Sequence, residues 1–237
     1  MNKTLASLTL SAASLAAGIT PAHGTDFEVE IINLTRGSWF TPFLVAAHAD
    51  SASLFTSGEP ASANLQAMAE GGDISGLQAD VEALNATVVA NPAEGLLAPG
   101  TRTSASLNTD NAPDNTRLSI VSMILPSNDG FMGLNSVVIP SEPGRYVFNV
   151  SAYDAGTEGN DEVVGSGAPG EPGYPAPPPV LAASGTGGSG INATAEGFVH
   201  IHRNVLGDDD LSGGVSDIDN TVHRWLNPVV RVVVTVN

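Results

Sequence analysis

Strict alternation of apolar and polar residues constrains this chain more than any other feature. In DFEVEIINLT, Phe27, Val29 and Ile31 alternate with acidic residues, which predicts a strand with one buried face. The segment 117–126, RLSIVSMILP, is apolar on both faces and predicts a central strand. The last residues, 227–237, are β-branched almost throughout and predict a strand deep in a sheet. Further strand-like segments lie at 101–109, 136–140, 145–153 and 196–202.

Helical spacing is confined to one region between the early strands. Residues 59–72 carry the spacing and the glycine stop signal of a helix, and residues 74–85 carry the spacing of one or two short amphipathic turns. The segment 156–190 is rich in Pro and Gly, has few bulky apolar residues and predicts a long irregular surface loop. We therefore predict a mainly β domain over residues 25–237, with a small helical insertion and this loop within it.

The N-terminal 24 residues differ from the rest of the chain. MNKTLASLTLSAASLAAGITPAHG has one lysine, then an uncharged Ala/Leu-rich stretch and a small-x-small ending. This pattern predicts a secretory signal peptide, residues 1–24, with cleavage near Gly24. No later run approaches the roughly 18 apolar residues of a membrane-spanning helix. We expect an exported protein without a membrane span, periplasmic, at the cell surface or secreted.

Charge and cysteine content exclude several functional classes. The chain has no cysteine, which excludes disulfides and thiolate chemistry. Its formal net charge is −17, and its one lysine, Lys3, lies in the predicted signal peptide. Such a surface repels nucleic acid and anionic lipid, and it attracts divalent cations. Solubility alone is the alternative reason for this acidity.

Acidic residues follow two of the predicted strands. Asp129 lies in PSNDGF, and Asp154 and Glu158 lie in YDAGTE, where Gly156 permits the reversal that brings the latter two together. Oxygen ligands without thiolate suit Ca²⁺, and crowded carboxylates repel one another unless a cation is bound. The alternative is an ordinary turn, because Asp, Asn and Gly are common turn residues. The next two acids, at 161–162, are expected to be solvated.

Several motifs together resemble the spondin N-terminal domain family. They are VEIINLT…FTPFLVAAH…LFTSGEPAS…LQAMAEGGD, SMILPSNDGFMGLNSV, YDAGTEGNDE and EGFVHIH, and the resemblance covers roughly residues 26–165 and 196–236. The resemblance implies an antiparallel β-sandwich similar to a C2 domain, with one Ca²⁺ bound at an edge loop cluster. Its ligands fall on Asp129, Asp154 and Glu158 of this chain. Glu158 replaces the family's usual aspartate, which leaves the geometry open.

Two other clusters have open interpretations. His200 and His202 flank Ile201, and alternate residues of a strand share a face, so both imidazoles could meet one transition metal. Further imidazoles would have to come from His48 or His223, and hydrogen-bonded histidines are the alternative. The loop at 207–221, with acids from Asp208 to Asp219, lacks EF-hand spacing and is either a solvated loop or a second weak calcium site.

The sequence contains no G-x-S-x-G, H-E-x-x-H or phosphate-binding motif. We therefore predict a non-enzymatic, calcium-binding module of the adhesion or matrix type, with an extracellular protein or glycan as partner. One rival is an exported, glycan-directed hydrolase that uses Asp129 and Glu158 as paired acids. Another is a purely structural surface protein without a ligand.

Overall fold

Strands are the main element of residues 24–237, the part of the chain that the computed structural model describes. The predicted signal peptide, apart from its last residue, lies outside the described residues. In chain order the elements are β1 (Asp26–Asn33), β2 (Trp39–Phe40), β3 (Leu44–His48), α1 (Ala63–Gly71), α2 (Ser75–Glu82), β4 (Thr87–Ala90), β5 (Arg102–Asn108), β6 (Arg117–Leu125), β7 (Gly130–Val138), β8 (Gly144–Val150), β9 (Ala152–Asp154), β10 (Val164–Gly165), β11 (Tyr174–Pro175), α3 (Pro178–Leu181), β12 (His200–Ile201) and β13 (Val230–Val236). No helix between residues 24 and 237 combines the length and apolar character needed to cross a membrane.

Two antiparallel sheets form a β-sandwich around one apolar core. The first sheet has the order β5-β1-β13-β8, and the second has the order β12-β9-β7-β6-β3-β4, with β2 paired to β6. Phe27, Val29 and Ile31 of β1 are buried, as their alternation predicts. The β-branched β13 and the doubly apolar β6 both lie inside their sheets. The mainly β, antiparallel sandwich with a small helical insertion is therefore confirmed.

The predicted strand at 145–153 is wrong as a single element. It is divided at Ser151, since β8 pairs with β13 in the first sheet whereas β9 pairs with β7 in the second. The amide of Ala152 donates to Asn227 Oδ1 at 2.8 Å. Alternation continues through the division, so periodicity alone gives no sign of the change of sheet. This crossing places Asp154 at the end of β9.

Other element boundaries also differ from the sequence prediction. The segment predicted at 136–140 is the end of β7, whose two glycines disfavour a strand on propensity. The segment predicted at 196–202 pairs only at His200–Ile201. Strands β2, β3 and β4 were not predicted. In β3, LVAAH, every residue is buried, and a short apolar run has no diagnostic period.

The Pro/Gly-rich segment at 156–190 is mostly irregular, as predicted, but it packs against the sandwich. It contains β10, β11 and α3. Tyr174 and Val180 from this segment are fully buried within the core. The amide of Gly170 donates to Glu70 Oε2 of α1 at 2.6 Å. The low content of bulky side chains therefore does not prevent this segment from contributing to the core.

Candidate metal centre

The ends of two neighbouring strands bring Asp129 and Asp154 together. Strands β7 and β9 are antiparallel, with Gly130 opposite Asp154. The amide of Ala155 donates to the carbonyl of Asp129 at 3.1 Å. Asp129 precedes β7 directly and Asp154 ends β9, so the two residues share one edge of the second sheet. Both side chains are buried.

The carboxylate of Asp129 is held firmly through one oxygen. Asp129 Oδ2 accepts hydrogen bonds from the amides of Thr157 at 2.8 Å and Glu158 at 3.2 Å. Asp129 Oδ1 is buried and has no hydrogen-bond partner among residues 24–237. Burial, and after it the charge of Asp154, raises the pKa of Asp129 to about 8. An ionised Asp129 therefore lacks compensating positive charge, which a cation would supply.

The carboxylate of Asp154 is the centre of a second group of polar side chains. Asp154 Oδ1 accepts from the amide of Gly156 at 2.8 Å, and Oδ2 accepts from Asn160 Nδ2 at 2.9 Å. His200, opposite Asp154 in the β9–β12 pair, places Nε2 at 3.5 Å from Oδ1. His202 places Nε2 at 3.8 Å from Oδ2. Burial lowers the pKa of His202 to about 4, so its ring is neutral near pH 7.

His200 and His202 therefore lie on one face of their segment, as predicted, and both rings face Asp154. Glu196 Oε2 lies 3.8 Å from His200 Nε2. In the described part of the chain, the set of three side chains whose ligand atoms all lie within 4.8 Å of one another consists of Asp154, Glu196 and His200. Glu196 was not predicted from the sequence.

The backbone amide of Glu158 binds Asp129, whereas the carboxylate of Glu158 binds other groups. Glu158 Oε1 accepts from Asn128 Nδ2 and from the amide of Gly173, both at 2.7 Å. Glu158 Oε2 is buried without a hydrogen-bond partner in the described residues. Burial is the main cause that raises the pKa of Glu158 to about 7. Of the predicted ligands, the structure thus brings Asp129 and Asp154 together and directs the Glu158 carboxylate toward the Pro/Gly-rich segment.

The expectation of solvation is wrong for Glu162, while Asp161 is half-buried. Glu162 is buried, and its carboxylate accepts from the amides of Leu206 at 2.6 Å and Gly207 at 2.7 Å. Asp161 Oδ1 accepts from Asn128 Nδ2 at 2.7 Å. Glu162 thus anchors a neighbouring loop, a role that depends on backbone groups about 45 residues away and leaves no local signal.

The acidic loop at 207–221 binds largely to itself. Asp208 Oδ2 accepts from the amides of Val215 and Ser216, and these bonds lower the pKa of the exposed Asp208. Asp219 Oδ1 accepts from the amide of Thr221 at 2.8 Å. Asx-type bonds of this kind are the ordinary chemistry of turns.

The other two described histidines make separate contacts. His48 bonds to Ser119 Oγ at 2.7 Å, and His223 Nε2 lies 3.1 Å from the carbonyl of Ala183. Neither belongs to the set around Asp154.

A family model described as Spondin_N matches residues 22–172. The matched range includes Asp129, Asp154 and Glu158, and it ends before Glu196 and His200. No curated protein matches the chain.

Proposed function

Because the Spondin_N model covers well over half of its length, the chain belongs to this family, and we propose that it is a calcium-dependent, non-enzymatic binding module that acts outside the cell. Membership of this family supports an extracellular-type binding module. Calcium binding, export and adhesion are what we propose in addition. The partner would be an extracellular protein or glycan.

The observation behind the calcium proposal is the environment of Asp129. A buried carboxylate with one oxygen left unbonded by residues 24–237 lies directly beside the buried Asp154. An uncompensated buried charge is costly, and a bound cation removes the cost. Glu158 Oε2 is the other buried carboxylate oxygen without a partner in that range. Asp129 and Asp154 offer only oxygen, which suits Ca²⁺. Glu158, whose carboxylate is held by Asn128 and Gly173, would have to turn toward them to join the donor set.

The residues around these carboxylates orient them before any ion binds. The amides of Thr157 and Glu158 fix Asp129 Oδ2. The amide of Gly156 fixes Asp154 Oδ1. Bound calcium would supply positive charge and complete its shell of six to eight oxygens with backbone carbonyls and water. A preorganised set of this kind lowers the entropic cost of binding.

An ion held here would stabilise the loops at one edge of the sandwich. The turn before β7 and the turn after β9 would both be tied to it, and Glu158 extends the connection to Gly173. Phe198 and Ile201, close to Asp154 on the adjoining segment, are 42% and 52% exposed and give this edge apolar contact area. We propose this edge as the partner-binding surface.

The burial of the acids favours a metal site over hydrolysis. A glycan-directed hydrolase would need Asp129 and Glu158 to reach a substrate. Asp129 is fully buried, and Glu158 is only 8% exposed. Carboxylates that point inward can meet an ion more readily than a sugar ring.

Thermal unfolding with and without calcium tests the proposal. At about 100 times the dissociation constant, a ligand of the native state stabilises it by about 2.7 kcal/mol. In a domain of this size that corresponds to a rise in Tm of about 5–10 °C. We expect this rise when Ca²⁺ is added to EDTA-treated protein, with a much smaller effect of Mg²⁺ at equal concentration.

Asp129→Asn should abolish the calcium response, and it removes a buried charge without changing the side-chain shape, so the variant is expected to fold. Glu142→Gln, which neutralises an exposed acid, is the matched control and should keep the response. A Tm that is equal in calcium and in EDTA would contradict the proposal and favour a purely structural protein.

A further inference from the structure

Three side chains converge beside the proposed calcium ligands without using Asp129 or Glu158. They are Asp154, Glu196 and His200, whose ligand atoms all lie within 4.8 Å of one another. His200 is held by the pairing of β12 with β9. Glu196 is held by its neighbour Gly197, whose amide donates to the carbonyl of Gly156 at 2.8 Å. The backbone therefore fixes all three positions.

The ring of His200 presents a lone pair to this group. Its Nδ1 lies 3.0 Å from the carbonyl of Ile201, and a carbonyl can only accept, so Nδ1 carries the proton of the neutral ring. The lone pair on Nε2 then faces Asp154 Oδ1 at 3.5 Å and Glu196 Oε2 at 3.8 Å. Within residues 24–237, Nε2 is buried and has no hydrogen-bond partner. With the ring neutral, three acceptors face one another, and a cation bound between them removes their repulsion.

The spacing of these atoms is that of ligands around a small ion. Two ligands bound at about 2.1 Å to a tetrahedral ion lie about 3.4 Å apart. The two observed distances, 3.5 and 3.8 Å, are close to this value and longer than an ordinary hydrogen bond. The Nδ1 bond of His200 to a carbonyl is also the outer contact that orients most metal-binding histidines.

His202 has the opposite tautomer and is not a ligand in this arrangement. Its Nδ1 accepts from the amide of Asn204 at 2.9 Å, so the proton of the neutral ring is on Nε2. That N–H faces Asp154 Oδ2 at 3.8 Å. The two histidines therefore share a face without binding one metal together, which differs from the interpretation drawn from their spacing.

We propose that Asp154 Oδ1, Glu196 Oε2 and His200 Nε2 bind a first-row transition ion of the Zn²⁺ type. A set of one imidazole and two carboxylates suits such an ion, whereas Ca²⁺ and Mg²⁺ prefer oxygen alone. The side chains of His200 and Glu196 are 23% and 34% exposed, which provides an entry path and leaves a fourth position for water. This site shares only Asp154 with the proposed calcium site and does not depend on it.

Calorimetric titration of Zn²⁺ into untagged, metal-free protein tests the site, with Co²⁺ as a visible-absorption probe of four-coordinate geometry. We expect one ion per chain. Loss of an outer contact weakens metal binding by about 10–100-fold, so His200→Gln and Glu196→Gln should each weaken it by more than about 100-fold. Glu142→Gln, the same charge change at an exposed acid, should bind as the unmodified protein does.

A further variant tests the tautomer argument. His202→Asn keeps an acceptor for the Asn204 amide and should weaken zinc binding only about 10-fold. An equal loss in His202→Asn and His200→Gln would overturn the assignment of ligands, and zinc binding unaffected by His200→Gln would overturn the site. Cooperative thermal unfolding of each variant shows that it is folded. Asp129→Asn should lose calcium but keep zinc, so the two metal proposals fail separately.

Discussion

Asp129 combines complete burial with a carboxylate that is only half satisfied. Two amides bind Oδ2, while Oδ1 has no hydrogen-bond partner in the described range. Such a group either keeps its proton or requires a nearby cation. The metal-free and metal-bound proteins should therefore respond differently to pH.

In EDTA, the free energy of unfolding should fall as the pH rises from 6.5 to 8. The folded pKa of Asp129 is raised to about 8 from an ordinary 3.8, so the unfolded chain loses this proton first and deprotonation favours unfolding. The raised pKa of Glu158 acts in the same direction. The lowered pKa of His202 has the opposite effect, but only the last part of that effect falls above its ordinary value of 6.5.

Since one pKa unit corresponds to about 1.4 kcal/mol, we expect a loss of about 1–2 kcal/mol across this window, measured by urea unfolding. Asp129→Asn should reduce the dependence to the part due to Glu158, and saturating Ca²⁺ should lower it as well. A metal-free stability that is constant or increases between these pH values would contradict the assignment.

Among the elements, the turn after β9 depends on a close backbone approach at Gly156. This glycine has φ +67°, and a Cβ there would lie 2.3 Å from the carbonyl oxygen of Phe198. The contact holds the turn that follows Asp154 against the segment that carries Glu196 and His200. Both metal proposals therefore depend on a residue that binds no ion.

Gly156→Ala should lower the free energy of unfolding by about 2–4 kcal/mol, because it adds a steric clash to the strain of a left-handed residue. Gly170→Ala is a matched control. Its φ is +83°. Apart from the residues directly before and after it, no atom of the described chain lies within 4 Å of the added Cβ. The control should lose only about 1 kcal/mol. Equal losses in the two variants, measured by chemical unfolding, would show that the close approach is not important.

Local periodicity predicts strands, but it does not predict which sheet each strand joins. Strands β1, β6 and β13 follow from their patterns, whereas the change of sheet at Ser151 does not, because alternation is the same on both sides of it. Asp129 and Asp154 could be identified because each adjoins a strand end and lies in a motif of the resemblance. Glu196 could not, since only the pairing of β12 with β9 brings its segment to Asp154.

The same limit applies to the histidines. Spacing predicts that His200 and His202 share a face, and the structure agrees. Their different tautomers depend on the carbonyl of Ile201 and the amide of Asn204. These two backbone groups lie close to the histidines in sequence. Their directions depend on where β12 ends, and the sequence pattern predicts a longer strand than the structure contains.

At the scale of the whole molecule, the two proposed metal sites lie together where β9 pairs with β7 and β12 in the second sheet. The net charge of −17 favours the approach of cations to any such edge. The Pro/Gly-rich segment packs near it and contacts Glu158 through Gly173. We therefore infer a β-sandwich with one metal-dependent edge, and the central claim is that calcium binds there.

Calorimetric titration of Ca²⁺ into the metal-free protein tests that claim most directly. We predict saturable binding of one calcium ion through Asp129 and Asp154, lost in Asp129→Asn and retained in Glu142→Gln. The absence of saturable calcium binding, or unchanged binding in Asp129→Asn, would contradict the account.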